Sequence, residues 1–152
     1  MSADRRVRPY VESNVIMTVV RILSPFVLTY GLFVMFHGAE SAGGGFQGGA
    51  IVAAMVIMLA FAYGMEPTRQ WLSNRLIVLL MGGGVLTFAG VGLGAMVLGG
   101  DFLEYLEYGS VTASKYGIEL VELSIGGIVS AALTGLFFAI VHGFEFKRGE
   151  EE

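Results

Sequence analysis

The strongest constraint on this chain is a set of long apolar stretches that carry no charge. The clearest runs from Leu76 to Leu98 and contains no acidic or basic residue. A helix needs ~20 mostly apolar residues to cross the ~30 Å hydrocarbon core of a bilayer. Charged residues make up only 14% of the whole chain, whereas a soluble domain carries about 25%. The sequence therefore predicts a protein whose surface largely faces lipid.

Four segments are long and apolar enough to span a bilayer. We predict an all-α integral membrane protein of the cell membrane, with one domain over residues 1–152. Its four transmembrane helices are expected at about residues 16–36, 48–65, 76–98 and 118–141. The first is apolar except for Arg21, which lies near one end and can extend its charge to the interface. An alternative is that Arg21 belongs to an ion pathway.

The basic residues predict the orientation of these helices. Of the nine Lys and Arg residues, eight lie in the two terminal regions, in the middle connection or, as Arg21 does, near the start of the first helix, and only Lys115 lies in another connection. Cytoplasmic connections of membrane proteins carry an excess of Lys and Arg. We therefore expect both termini to be cytoplasmic, and the first and third connections to face outward. The first apolar segment is expected to be retained rather than cleaved as a signal peptide.

Several classes of function are excluded by what the chain lacks. It has no cysteine, so disulfides, thiolate metal sites and cysteine nucleophiles are absent. The glycine-rich "GGGFQGG" lacks the Lys-Ser/Thr ending of a phosphate-binding loop. No serine elbow, set of zinc ligands or basic patch for nucleic acid is present. We predict that this chain is not an enzyme by itself and that it binds no cofactor, structural metal or nucleic acid.

Glycine is unusually abundant, with 23 residues, many of them inside the predicted spans. The third span contains the pair Gly90 and Gly94, and the fourth contains two rows of small residues at a spacing of four. Small residues let membrane helices approach closely, which is how such helices associate in lipid. Rows on several faces predict a subunit of a larger membrane assembly. The alternative is that they serve only the packing of this chain.

Two carboxylates fall at the start of the fourth predicted helix. Glu119 and Glu122 are three residues apart and so share one helix face. A charged side chain inside the bilayer costs ~3 kcal/mol on insertion scales, so such a residue is a functional candidate. Glu122, the deeper of the two, suits a site that exchanges protons or binds a cation. Alternatively, both carboxylates simply favour the positive end of a helix dipole.

Two further pairs combine a histidine with a carboxylate. His37 and Glu40 lie in the first outward connection, where the histidine has the chemistry of a proton relay. A solvated loop pair is the alternative. His142 and Glu145 lie at the opposite end of the fourth helix, where an interfacial position is expected.

The stretch from Ser24 to Ala54 resembles the B subunit of the Mrp-type (Mnh) multisubunit sodium/proton antiporters. The resemblance rests on a histidine-glycine pair and a glycine run that opens the second helix. These residues are His37, Gly38, Gly43, Gly44, Gly45, Phe46, Gln47, Gly48 and Gly49. The layout of four helices also matches, and Glu122 stands where the family usually has an aspartate. Related subunits occur in archaeal membrane-bound hydrogenases and sulfur-reducing complexes, and the resemblance does not separate these from a free-standing antiporter.

The resemblance implies a non-catalytic subunit of a complex that translocates cations and protons. Its partners would be other membrane subunits and the bilayer, with Na⁺ and H⁺ as the transported ions. Irregular backbone at membrane depth needs cover from protein or a water-filled cavity, so residues 43–49 are expected at a subunit contact or an aqueous entry. His37 and Glu40 would border an outer half-channel, with Glu122, and less so Glu119, handling ions. Two alternatives stay open: a purely structural assembly subunit, and a self-sufficient homo-oligomeric channel.

Overall fold

The computed structural model describes residues 13–38 and 43–149, with side chains as far as residue 141. Over these residues the chain forms helices and contains no strand. The helices are α1 (Asn14–Phe36), α2 (Gly45–Tyr63), α3 (Met65–Trp71), α4 (Asn74–Val97) and α5 (Val111–Gly149), with a 3-10 turn at Tyr105–Tyr108. All but α3 and the 3-10 turn are long and apolar enough to cross a membrane. The prediction of an all-α protein with four spanning helices is confirmed.

The four long helices pack side by side in the order α1, α2, α5, α4. Helices α2 and α5 therefore each lie between two other helices, whereas α1 and α4 lie at the two ends of the row. Within the chain, 39% of the apolar span of α2 is buried, against 11% for α4. Most of the surface of α4 is thus left for lipid or for another protein.

Helix α5 is longer than the apolar pattern predicted. It has 39 residues, which correspond to about 58 Å at 1.5 Å per residue. It begins at Val111 rather than at residue 118, because the Ser110 hydroxyl accepts a hydrogen bond from the N–H of Ala113 at 3.1 Å and so caps the helix. The first two turns are polar, so the apolar pattern of the sequence does not predict them as part of a span.

The middle connection contains a helix that the sequence reading did not predict. Helix α2 ends at Gly64, whose positive φ of 102° turns the chain in a conformation that glycine adopts at little cost. The seven-residue α3 follows directly, and α4 begins after Ser73, whose hydroxyl accepts a hydrogen bond from the N–H of Leu76 at 3.3 Å. The connection between α2 and α4 is therefore a compact helical turn.

The third connection, residues 98–110, folds back onto α4 and α5. The Phe102 ring lies against Gly92 at a distance that leaves no room for a side chain there. The Tyr108 hydroxyl donates a hydrogen bond to the carbonyl of Val91. On the α5 side, the Ser114 hydroxyl donates to the Tyr105 carbonyl at 2.6 Å. These contacts hold the 3-10 turn over the helix pair.

Candidate functional site

One side of the glycine run lies against α1. The N–H of Gly44 donates a hydrogen bond to the carbonyl of Val34 at 3.2 Å. A Cβ added to Gly43 would lie 2.9 Å from the same carbonyl oxygen, and one added to Gly48 would lie 2.7 Å from that of Gly31. Gly44 also has a φ of 143°, in the region that glycine tolerates best. The chain therefore turns from α1 into α2 with the two backbones in direct contact.

The other side of the run lies against α5. A Cβ added to Gly45 would overlap the main-chain carbonyl of Glu122, and one added to Gly49 would lie 2.6 Å from the carbonyl oxygen of Gly126. Gly45 and Gly49 are one helical turn apart and so form a single row along α2. Such a row is the arrangement by which membrane helices approach closely. Helices α2 and α5 thus meet backbone to backbone beside Glu122.

The two larger residues of the run behave differently from its glycines. Phe46 is 63% exposed, and Gln47 is exposed as well. Both lie in the first turn of α2, which begins at Gly45 rather than at the predicted residue 48. Their side chains are not needed to pack α2 against α1 or α5.

The carboxylate of Glu122 is enclosed by residues without side chains. We call Gly38 and Gly44, which lie against this carboxylate, the glycine cradle. A Cβ on Gly38 would overlap the carboxylate, and one on Gly44 would lie 3.6 Å from its Oε1. The other carboxylate oxygen, Oε2, is buried. The glycines at the end of α1 and the start of α2 therefore provide the space that the Glu122 side chain occupies.

The depth of Glu122 differs from the expectation drawn from the sequence. Because α5 begins at Val111, Glu122 lies about 16 Å, or three turns, inside the helix. The helix dipole stabilises a carboxylate only within about the first turn. The dipole therefore does not account for a carboxylate at this position.

Tyr105 is a site residue that the sequence reading missed. Its ring lies on Gly117 of α5, where an added Cβ would be 3.1 Å from Cδ1 of the ring. Burial raises the pKa of the Tyr105 phenol above its usual value of 10.0, and the negative charge of Glu122 raises this pKa further. The phenol thus keeps its proton at neutral pH. Its loop shows no helical or strand periodicity, so only its aromatic character could have drawn attention to it.

Glu119 has a different environment from Glu122 despite the shared helix face. Its carboxylate lies 3.9 Å from Nζ of Lys115, one turn away, and 28% of its side chain is exposed. A partly exposed pair at 3.9 Å contributes little to stability. The structure therefore separates the two carboxylates, one in a partly exposed ion pair and one in the glycine cradle.

The predicted histidine sites are placed only in part. His37 is exposed, and its ring stacks on Phe33 with 4.0 Å between centroids. It adjoins Gly38 and so lies at the same end of α1 as the glycine cradle. Glu40 lies outside the described residues, and so do the side chains of His142 and Glu145. The pairing of His37 with Glu40 stays a prediction.

The described side chains form no cluster of metal ligands. Within residues 13–38 and 43–141, whose side chains the structure describes, no three His, Asp or Glu residues come close enough to hold a metal ion together. Glu122 offers a single carboxylate, whereas a resident divalent metal takes several oxygen ligands.

The chain is similar to known antiporter subunits. The family model described as "Domain related to MnhB subunit of Na+/H+ antiporter" matches residues 15–144. The B subunit of the Na(+)/H(+) antiporter of Bacillus subtilis (strain 168) is 29% identical over 91 residues, or 60% of this chain and 63% of that protein. A protein of Staphylococcus aureus (strain Newman) named as antiporter subunit mnhB2 is 29% identical over 135 residues, or 86% of this chain and 88% of that protein.

The fold is similar to one chain of a solved membrane complex. This is a chain in the structure of the membrane-bound sulfane sulfur reductase, an archaeal respiratory membrane complex. The TM-score is 0.69 at 25% sequence identity, and the match covers 90% of this chain and 62% of that chain. This chain therefore spans less than two thirds of the length of the reductase chain, as it does of the Bacillus protein.

Proposed function

Since this chain belongs to the MnhB family of Na⁺/H⁺ antiporter subunits and is a multi-pass membrane protein, we propose that it is a non-catalytic subunit of a complex that translocates sodium ions and protons. Relatives named as antiporter subunits, and a match within a respiratory membrane complex, support partners of the same kind. The large surface that α4 leaves uncovered within the chain supports such partners as well. Any redox or other chemistry resides in those partners.

The environment of Glu122 is the observation that supports an active role of this chain in transport. A carboxylate three turns inside α5, beyond the polar first two turns of that helix, needs a reason, because burying its charge costs about 3 kcal/mol. The glycine cradle provides the space that this carboxylate occupies and that side chains would otherwise fill. A single half-buried carboxylate whose neighbours include residues without side chains is suited to bind and release a proton or a sodium ion. We assign Glu122 this role in the ion path.

The neighbours of Glu122 have separate roles in the proposed ion path. Tyr105 keeps its phenolic proton, so its hydroxyl can donate a hydrogen bond near the carboxylate. His37, at the same end of α1, has the chemistry of a proton relay and can pass protons between water and the cradle. Glu40 is assigned to the same outer entrance. Glu119 has a lesser role, since it is paired with Lys115. The cytoplasmic location of both termini is part of this proposal.

The test replaces Glu122 by Gln in the complete complex and measures sodium-dependent proton movement in membrane vesicles. Gln keeps the shape of Glu but carries no exchangeable charge. Transport should fall roughly 100-fold, the scale on which a positioned proton-transfer group acts, while the complex still assembles. The matched control is Glu119→Gln, one turn away on α5, which should change transport less than about twofold because a partly exposed ion pair contributes little.

The outcomes separate the competing interpretations. Unchanged transport in an assembled Glu122→Gln complex would remove Glu122 from the ion path and favour a purely structural role. Loss of the complex itself would assign Glu122 to assembly. Sodium or proton flux through the chain reconstituted alone would instead favour a self-sufficient homo-oligomeric channel.

A further inference from the structure

A groove lies at the end of the helix bundle away from Glu122. Helices α1 and α2 run antiparallel, so the first half of α1 meets the last turn of α2 and the short helix α3. Between these three helices is an open groove of about 320 Å³. Its wall includes Arg21, Ser24, Leu59, Tyr63, Thr68 and Trp71. None of these residues has a part in the proposed ion path.

Arg21 is fixed at one end of this groove. Its Nε–H donates a hydrogen bond to the Tyr63 hydroxyl oxygen at 2.7 Å, and its guanidinium carbon lies 5.2 Å from the centre of the Tyr63 ring. The bond uses the Nε–H only, so the two terminal NH₂ groups retain the planar fork that matches a phosphate. Of the described residues that line the groove, Arg21 alone carries a charge. The groove therefore complements a negative group.

The rest of the wall is suited to hydrocarbon. The Ser24 hydroxyl donates to the carbonyl of Val20, and the Thr68 hydroxyl donates to that of Gly64 at 2.9 Å. Both hydroxyls are thus satisfied within their own helices, and most of the remaining wall is aliphatic. An apolar surface with satisfied hydroxyls favours an acyl chain over a water-soluble ligand.

Trp71 marks the depth of the groove. It is 80% exposed and ends α3 at the mouth of the groove. Exposed tryptophans of membrane proteins concentrate at the level of the lipid headgroups. The fixed arginine therefore lies near the depth at which the phosphate of a lipid is found.

We propose that the groove between α1, α2 and α3 binds one anionic glycerophospholipid, with its phosphate on the Arg21 fork and an acyl chain along Leu59. A net negative headgroup is preferred because the described lining of the groove offers a positive charge and no carboxylate to pair with a choline or ammonium group. Basic pockets between spanning helices are known sites for anionic headgroups. This site is independent of the proposed role of Glu122.

The chain carries its own reporter, because Trp71 is its only tryptophan. The full chain is placed in phosphatidylcholine vesicles that contain a small fraction of brominated phosphatidylglycerol, or the same fraction of brominated phosphatidylcholine. Bromine quenches tryptophan fluorescence on contact. At about 0.5 M salt, which screens exposed charges beyond a few ångströms, phosphatidylglycerol should quench more strongly than phosphatidylcholine.

The matched variants are Arg21→Gln and Arg75→Gln. Arg21→Gln should lower the preference for phosphatidylglycerol about tenfold, the loss expected for a hydrogen bond to a charged group. Arg75 lies in the first turn of α4 and outside the groove, so Arg75→Gln should retain the preference. Arg21→Lys keeps the charge without the fork and should lose part of the preference. An excess of inorganic phosphate should not displace the lipid, which distinguishes a lipid site from an anion site.

Three results would overturn the lipid site. These are equal quenching by the two brominated lipids, an unchanged preference in Arg21→Gln, and displacement by phosphate alone. The assembled complex provides a fourth test, since the chain has no cysteine of its own. In that complex, Leu59→Cys should react with a maleimide-bearing phospholipid. A complete lack of reaction would mean that another protein of the complex covers the groove.

Discussion

Gly49 on α2 and three of the glycines on α4 have opposite surroundings, although both helices are apolar and glycine-rich. A Cβ on Gly49 of α2 would lie 2.6 Å from the carbonyl oxygen of Gly126. Cβ atoms on Gly82, Gly83 and Gly90 of α4 would meet no atom of the described chain within 4 Å. The first kind of glycine is required by a neighbouring backbone, and the second kind is not required by any contact described within this chain.

The comparison shows that small residues in a membrane helix have more than one use. On α2 they bring three helices together beside Glu122. The three open glycines of α4 form a smooth surface, where alanine would favour the helix by about 1 kcal/mol per residue. A surface of this kind is suited to the close approach of a helix from another protein. The open glycines of α4 therefore support the prediction that this chain packs against other subunits.

The largest expected effect comes from adding one methyl group to each kind of glycine. Gly49→Ala should lower the free energy of unfolding by about 2–3 kcal/mol, the usual consequence of overpacking a tight contact. Gly90→Ala should leave it unchanged or raise it by up to about 1 kcal/mol. Both are measured by reversible unfolding of the full chain in mixed detergent, followed through Trp71 fluorescence. Equal destabilisation by the two variants would show that the two sets of glycines do not differ in whether a neighbouring backbone requires them.

A smaller effect is expected at Gly38, where the added methyl group would meet the Glu122 carboxylate instead of a backbone. The end of that side chain can move aside, so Gly38→Ala should change stability by less than about 1 kcal/mol. The displaced carboxylate should nevertheless reduce sodium-dependent proton transport about tenfold, since small displacements of a functional group are costly. Gly83→Ala in the same vesicle assay is the control. Normal transport in Gly38→Ala would show that transport does not depend on the absence of a side chain at position 38.

The smallest effect concerns the pKa of Tyr105, which depends in part on the charge of Glu122. Its raised pKa means that folding favours the protonated phenol. This contribution to stability is present below the ordinary tyrosine pKa of 10.0 and is lost as pH rises through the folded-state value. Glu122→Gln removes the smaller of the two main causes, so the pKa of Tyr105 should fall but stay raised by burial. Phenolate absorbance during a pH titration measures this, with Tyr105→Phe identifying the signal. An unchanged titration would mean that Glu122 carries no charge near Tyr105.

The four spans were predictable because hydrophobicity is read directly along the chain. The uncharged stretch from Leu76 to Leu98 predicted α4 to within two residues at its start. The polar beginning of α5 was not predictable in this way, since its first two turns depend on the cap at Ser110 and not on apolar character. The short helix α3 was missed for a related reason, because seven residues are too few to show a periodic pattern.

The candidate site was predictable only as separate residues. Helical spacing placed Glu119 and Glu122 on one face, but it did not distinguish a partly exposed ion pair from an enclosed carboxylate. Gly38 and Tyr105 gave no sign of belonging with Glu122, from which they are distant in the sequence. The bond between Arg21 and Tyr63 likewise joins two residues that are 42 positions apart in the sequence.

The sequence by itself determined that this chain is helical, that it crosses a membrane four times and that it resembles an antiporter subunit. The tertiary structure decided which helices are neighbours, and hence that the end of α1, the start of α2 and the third turn of α5 enclose one carboxylate. The physical reason is that hydrophobicity and charge act residue by residue, so they can be read in order. Contacts between backbones depend on the packing order α1, α2, α5, α4, which no local property of the chain specifies.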